Sequence, residues 1–141
     1  MEKQKVYISG PMTGLERSEY MLRFHRAEKL LRREGYWVVN PARFAPSRYL
    51  RLYKLMGYRL TLLYDLWRLM HCDLIYKMPG WRWSHGAQME SCVAFHCNLW
   101  PLPKHIRNKI DQKMTKYIEE REQVISAYIQ VANEEKYEFS P

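Results

Sequence analysis

Two carboxylates stand where packing alone would not put them. In the stretch from Asp65 to Ala94, DLWRLMHCDLIYKMPGWRWSHGAQMESCVA, a helix starting near Ser84 would set Ala87, Glu90, Ala94 and Cys97 on one stripe, at i, i+3, i+7 and i+10. Glu90 is the misfit. An unpaired carboxylate buried among small residues costs several kcal/mol, so it needs a partner or a task, unless the helix begins later and turns it to water. Asp65 falls on an earlier predicted helix, three residues before Arg68, where an exposed ion pair would account for it. Placed near one strand end, the two carboxylates can divide nucleophile and acid–base work, as in retaining glycoside chemistry. Tyr7, near the end of the first predicted strand, can hydrogen-bond one of them and keep it ionised, or serve as a core aromatic with a satisfied hydroxyl.

Other chemistries fit less well. His71, Cys72, Asp73, His85, Cys92, His96 and Cys97 are numerous, but their spacings match no established zinc pattern, so no metal or other cofactor is expected. Ser84 lacks the GxSxG elbow of a nucleophilic serine. The GPMTG loop lacks the GK[ST] ending of a phosphate-binding P-loop. Ser84 is instead a natural N-cap, with the amides of His85, Gly86 and Ala87 able to face an anion at a helix start. Capping alone would explain it equally well.

The elements that position these residues alternate. KVYISG reads as a buried strand ending at Gly10, and Pro11 to Gly14 as a loop. From Ser18, Tyr20, Phe24, Ala27 and Leu31 recur at helical spacing, and Gly35 stops the run. YWVV is a second strand closed by Asn40 and Pro41, which completes a right-handed βαβ unit. Residues 41–56 hold two prolines and little regular period, and predict an ordered loop with one helical turn, long enough to act as a lid. Gly57 to Cys72 predicts a helix with two apolar faces, one of Leu60, Leu63, Trp67 and Met70 and one of Leu62, Leu66 and Leu69. Such a helix is expected to be covered on both sides, by the sheet and by a second subunit.

Asp73 to Met78 is a third strand, PGWRWSHG a loop, Ala87 to Cys97 the helix carrying Glu90, and NLWPLP room for a short fourth strand. Residues 104–135 form one long helix or two. The order predicts a doubly wound parallel α/β sheet over residues 1–103, and a helical extension over 104–141 packed on the same domain or on a partner. In such sheets ligands bind outside the carboxyl ends of the strands. That rule selects Ser9 to Gly14, Asn40 to Pro46 and Pro79 to Gly86, with Ser9, Gly10, Asn40, Ser84 and Gly86 as candidate substrate or phosphate contacts.

The chain has 141 residues, of which 47% are hydrophobic, enough for a single core. It lacks an apolar run long enough to cross a membrane and a signal-like start, and its three cysteines form no CxxC pair; a cytoplasmic protein is expected. The net charge of +8 is concentrated. Residues 16–68 hold twelve Lys or Arg against five acids, whereas residues 104–138 hold seven of each. A basic region beside a cleft draws phosphorylated substrates. The interleaved RYLRLYKLMGYR also suits nucleic acid, although no nucleic-acid motif accompanies it.

Four segments in order, KVYISGPMTG, VVNPA, DLWRLMHCD and PGWRWSHGAQMESCVA, resemble the nucleoside 2-deoxyribosyltransferase-like family, including its short bacterial and phage members that open with YISGPMTG. The resemblance covers residues 3–100 and leaves the C-terminal segment outside. It implies a flavodoxin-like fold and cleavage of an N-glycosidic bond through a covalent glycosyl-enzyme. By the same resemblance Glu90 is the nucleophile, Asp65 the proton donor or orienting acid, and Tyr7 the strand-one tyrosine. The family's relatives form dimers, so a homodimer is implied.

Members of this family acting on free nucleosides carry an aspartate six residues before the nucleophile, whereas those hydrolysing nucleoside 5'-monophosphates carry a phosphate-binding serine there. Here it is Ser84, and a hydroxyl with helix amides suits a phosphate that a carboxylate would repel. The chain departs from the pattern at Thr13, where the hydrolases place an arginine, and at Gln88, where many relatives have glycine. Arg17, Arg43, Arg48 and Arg82 are then the cations available for the phosphate. The expected function is hydrolysis of a nucleoside 5'-monophosphate or related nucleotide. The alternatives are transfer between free nucleosides, a nucleotide-binding module without turnover, and a basic nucleic-acid binder.

Overall fold

The structure is a computed structural model that describes residues 2–12, 14–43 and 47–138. Four strands, β1 (Lys5–Ser9), β2 (Trp37–Val39), β3 (Leu74–Lys77) and β4 (Trp100–Pro101), form one sheet in the order β2-β1-β3-β4, with every pairing parallel. Four helices connect and flank them: α1 (Arg17–Arg33), α2 (Ser47–Met70), α3 (His85–His96) and α4 (Lys104–Glu138). This is the doubly wound α/β architecture that the alternation predicts.

The period of two along β1 assigns the faces. Val6 and Ile8 pack with Phe24 and Leu31 of α1 and with Ile110 and Met114 of α4, whereas Tyr7 packs with Leu69 of α2 and with Ile75 and Ala94 of α3's side. The alternate residues of a central strand therefore feed two separate cores. Tyr7 lies opposite Val39 and Ile75, and Ser9 opposite Lys77.

Two regions differ from the sequence expectation. Residues 47–56 are helical rather than looped, and α2 starts at Ser47 instead of Gly57. Both prolines lie upstream of Ser47, and the run RYLRLYKLM is made of good helix formers, which the absence of a clean apolar stripe concealed. Gly57 interrupts the helix with φ 76° and ψ −177°, a conformation that residues with a Cβ rarely adopt. The second difference concerns Cys97, which is exposed. The buried stripe ends at Ala94 because α3 stops at His96 and the chain turns through Asn98, at φ 58°, into β4.

Of α2's two apolar faces, Leu69 is fully buried and Leu66 packs beside it, while Leu60, Leu63, Trp67 and Met70 remain exposed in the single chain. Among the described residues no helix is long and apolar enough to cross a membrane.

β4 pairs with the start of β3, at Leu74 and Ile75. The chain therefore enters α4 at the amino edge of the sheet and runs up α1 in the opposite direction. Lys109 meets Glu34 just past the end of α1 at 2.7 Å, and Arg121 meets Glu19 in its first turn at 2.9 Å. Glu19 accepts from both Arg121 and Arg23, and these guanidiniums, Arg121 foremost, hold its carboxyl below the usual range. Tyr76 in the sheet donates to Asp111 at 2.8 Å.

The first half of α4 is thus part of the domain core. Replacing the fully buried Met114 with alanine is expected to cost ~2–4 kcal/mol of unfolding free energy in urea titrations followed by circular dichroism. A loss below about 0.5 kcal/mol, the size of an ordinary surface change, would mean that α4 does not close this core.

Candidate active site

α3 brings Glu90 to the sheet because its first and third turns present alanines. Ala87 is 1% and Ala94 2% exposed, and Glu90 between them is 8% exposed. Small side chains let the helix approach β1 closely, so the glutamate faces β1 rather than water. Ser84 caps the helix: its backbone is extended and its Oγ accepts the Ala87 amide at 3.4 Å.

Four polar groups from two elements meet around Glu90. Ser9 Oγ, at the end of β1, donates to Glu90 Oε1 at 3.4 Å. Tyr7, two residues earlier on the same face, is completely buried, and its hydroxyl faces the same carboxyl. Asp65 and Arg68 reach the group from α2 and act on it electrostatically. Three buried oxygens, Tyr7 Oη, Asp65 Oδ1 and Glu90 Oε2, have no well-formed hydrogen bond. Tyr7 Oη is nonetheless near enough to Glu90 to favour its ionised form.

Burial sets the titration of all three. Desolvation pushes Glu90 up to about 8, with the Asp65 charge adding to it and the Tyr7 and Ser9 hydroxyls opposing it. Asp65 rises to about 6 for the same reason, with Arg68 pulling it back. Tyr7 is driven well above its ordinary value by burial and by the two carboxylates. The ion pair with Arg68 therefore does not dominate Asp65; desolvation does. At neutral pH the carboxylate pair as a whole retains about one proton.

The structure brings Tyr7, Ser9, Asp65 and Glu90 into one cluster. Gly10 adjoins it at the mouth of the first loop, where an added Cβ would crowd the Met78 side chain and require its methyl end to shift. Gly86 lies in the first turn of α3 above Ser84. Asn40 is placed apart from the carboxylates. Its Oδ1 accepts the Ala42 amide at 2.9 Å in the turn after β2, and it faces α1 across a cavity lined by Met21, Leu22 and His25.

Of the cations named for a phosphate, Arg17 is exposed at the start of α1, and Arg82 is exposed with its guanidinium 5.6 Å from the Trp81 ring. Thr13 lies outside the described residues, as do the side chains of Arg43 and Arg48. Among the described residues no group of three His, Cys, Asp or Glu could hold a metal.

Lys77 is the residue that sequence reasoning missed. It ends β3 beside Ser9, donates to Ser91 Oγ at 3.3 Å and lies 4.4 Å from the centre of the Trp81 ring. Burial, reinforced by Arg107 and Arg82, lowers its pKa. The signal was available in register, since Lys77 falls two residues after Ile75 on the face that Tyr7 and Ser9 share.

Residues 4–100 match the domain family described as Domain of unknown function (DUF4406). The chain belongs to this family. No curated protein matches it. The DUF4406 segment contains every member of the Glu90 cluster and ends at the first residue of β4, so α4 lies beyond it.

A carboxyl group that folding lifts from 4.5 to about 8 makes stability depend on pH. Between those values the folded protein keeps a proton that the unfolded chain releases, so this group's contribution to stability is full below 4.5 and is lost as pH rises to about 8. Glu90→Gln, neutral in both states, is expected to flatten this decline. Urea titrations across the interval measure it, and an unchanged slope in the variant would place Glu90 in water.

Proposed function

We propose that this DUF4406 protein is an N-glycosidase that cleaves a nucleoside 5'-monophosphate or related nucleotide through a glycosyl ester on Glu90. The observation that carries this reading is the buried Glu90 carboxyl and the half-buried Asp65 carboxyl beside Tyr7, each with a buried oxygen left without a hydrogen-bond partner, at the carboxyl end of β1. A core has no use for such groups, whereas a sugar with its hydroxyls would satisfy them.

In the proposed reaction a Glu90 oxygen attacks the anomeric carbon as the carbon–nitrogen bond breaks, and the proton held by the carboxylate pair passes from Asp65 to the departing base. Water then attacks the anomeric carbon of the glycosyl ester, gives its proton to Asp65 and, as the bond from that carbon to the Glu90 oxygen breaks, releases the sugar phosphate and the Glu90 carboxylate. In the empty site the proton is held more tightly by Glu90 than by Asp65. The positive charge developing at the anomeric carbon favours the Glu90 carboxylate and shifts the proton toward Asp65 as the bond opens. The Tyr7 and Ser9 hydroxyls assist the same ionisation.

Ser84 supports the phosphorylated substrate over the free nucleoside. Its oxygen accepts from Ala87 but its own proton remains available to a phosphate at the start of α3. Nucleotide chemistry and three unpaired cysteines both suit the cytoplasm.

Incubation with a panel of nucleosides and nucleoside monophosphates, analysed by chromatography for free base, tests the reading. Release from monophosphates is expected, with a loss of at least about 10³-fold in Glu90→Gln. Base exchange between nucleosides in place of hydrolysis would make the protein a transferase. Tight binding without any release would leave a binding module.

Because turnover needs one proton on the pair, kcat/KM is expected to rise with pH near about 6 and to fall near about 8. Asp65→Asn should remove the bell shape. A flat profile across that range in the active wild type would exclude the pair as the acid–base machinery.

A further inference from the structure

The charge of α4 is balanced in total but not along its length. Residues 104–118 hold five Lys or Arg against the single acid Asp111, whereas residues 119–138 hold two against six acids. In the basic half, His105, Lys109, Lys113 and Lys116 fall at i, i+4, i+8 and i+11, on one stripe of the helix. On α1, Arg26, Lys29 and Arg33 fall at i, i+3 and i+7 and make a second stripe.

The antiparallel packing of α1 and α4 sets the two stripes side by side. Lys109 pairs with Glu34 at the end of α1, and the Arg26 guanidinium lies 5.8 Å from the centre of the Tyr117 ring. Lys109 foremost, with Lys113 and His105, holds the Glu34 carboxyl below the usual range. Every cation of the two stripes except the half-buried Arg26 is exposed. The acids within this span are already engaged. Glu28 is buried and joins Arg32, Asp111 accepts from Tyr76 in the sheet, and Glu34 is held by Lys109. What remains is a band of positive charge roughly 16 Å long on two rigid helices. It lies on the α1–α4 side of the sheet, whereas Glu90 lies on the α2–α3 side.

A regular band of one sign suits a polyanion whose own charge is regular. Duplex nucleic acid carries one negative charge per ~1.7 Å of its axis, so a band of this length faces roughly nine phosphates. An anionic membrane surface would also need apolar side chains to insert beside the cations. The large exposed apolar residues of the two helices, Met21 and Leu22 on α1 and Val124 onward on α4, lie outside the band. A single strand would need open aromatic platforms for its bases, and Tyr117 at the seam is half-buried with Arg26 over its ring. Past Lys116 the surface of α4 turns acidic at Glu119 and Glu120, which ends the footprint.

We propose that the α1–α4 band binds duplex nucleic acid through its phosphate backbone, without reading the base sequence. The inference stands apart from the glycosidase reading, because it uses neither Glu90 nor that side of the sheet.

Fluorescence anisotropy of the full chain with short labelled duplexes of unrelated sequence, at several salt concentrations, tests it. The duplexes are expected to bind alike, with log Kd rising against log salt at a slope of about 4 to 5, as for four to six phosphate contacts. Lys113→Glu combined with Lys116→Glu should weaken binding at least about tenfold and lower that slope by about 2. Lys29→Gln with Arg33→Gln, on the other helix, should weaken binding in the same direction. Lys54→Glu with Arg59→Glu, an equal change of net charge at exposed positions of α2, should shift Kd by less than about threefold, since screening confines a charge to its own surroundings. Unchanged circular dichroism and urea midpoints control for folding. Absence of duplex binding at low salt would overturn the proposal, as would an equal loss in the α2 variant. Tighter binding to the single strand than to the duplex would overturn it too, and so would binding to phosphatidylserine vesicles in place of the duplex.

Discussion

The site depends on how closely α3 can approach β1. Ala87 and Ala94, buried on either side of Glu90, permit that approach, and Ala94 packs directly with Tyr7 and Ile75. The close approach dehydrates Glu90, and dehydration in turn lifts its pKa and that of Asp65 across the cluster. Loosening α3 would wet the carboxyl and return it to ordinary behaviour. Packing of two alanines thus governs acid–base properties several residues away from either.

The period of two in β1 is the second determinant. One strand sends Val6 and Ile8 into the α1–α4 core and Tyr7 and Ser9 toward α2 and α3. The residues that stabilise the sheet and those that meet Glu90 are therefore interleaved. A one-residue slip in register would exchange them.

Most of the architecture was legible because it rests on local signals. Apolar spacing from Tyr20 to Leu31 marks α1, the runs VYIS and LIYK mark central strands, and the small-residue stripe marks α3 with Glu90 as its anomaly. The start of α2 was not legible: its first turns have good helix propensity but no clean stripe, and Gly57 reads as a helix start when it is an interruption. Cys97 looked like stripe only because spacing cannot say where a helix ends. The cluster of Tyr7, Asp65 and Glu90 was legible as types and strand ends, whereas Ser9's bond to Glu90 and the place of Lys77 depend on register. Asn40 was selected by the strand-end rule alone, and its turn-forming bond to Ala42 shows how a polar residue at a strand end serves the backbone.

The way α4 completes the first core also bears on how the chain acquires its structure during synthesis. Strand β1 emerges early, but its two neighbours and their crossover helices must follow before it can pair on both sides. Even then Val6, Ile8 and Phe24 lack their cover until Ile110 and Met114 arrive. The segment that matches DUF4406 ends before those residues, so by itself it would present an uncapped apolar sheet face to a crowded solution. A nascent chain therefore stays in need of shielding until most of its length has left the ribosome.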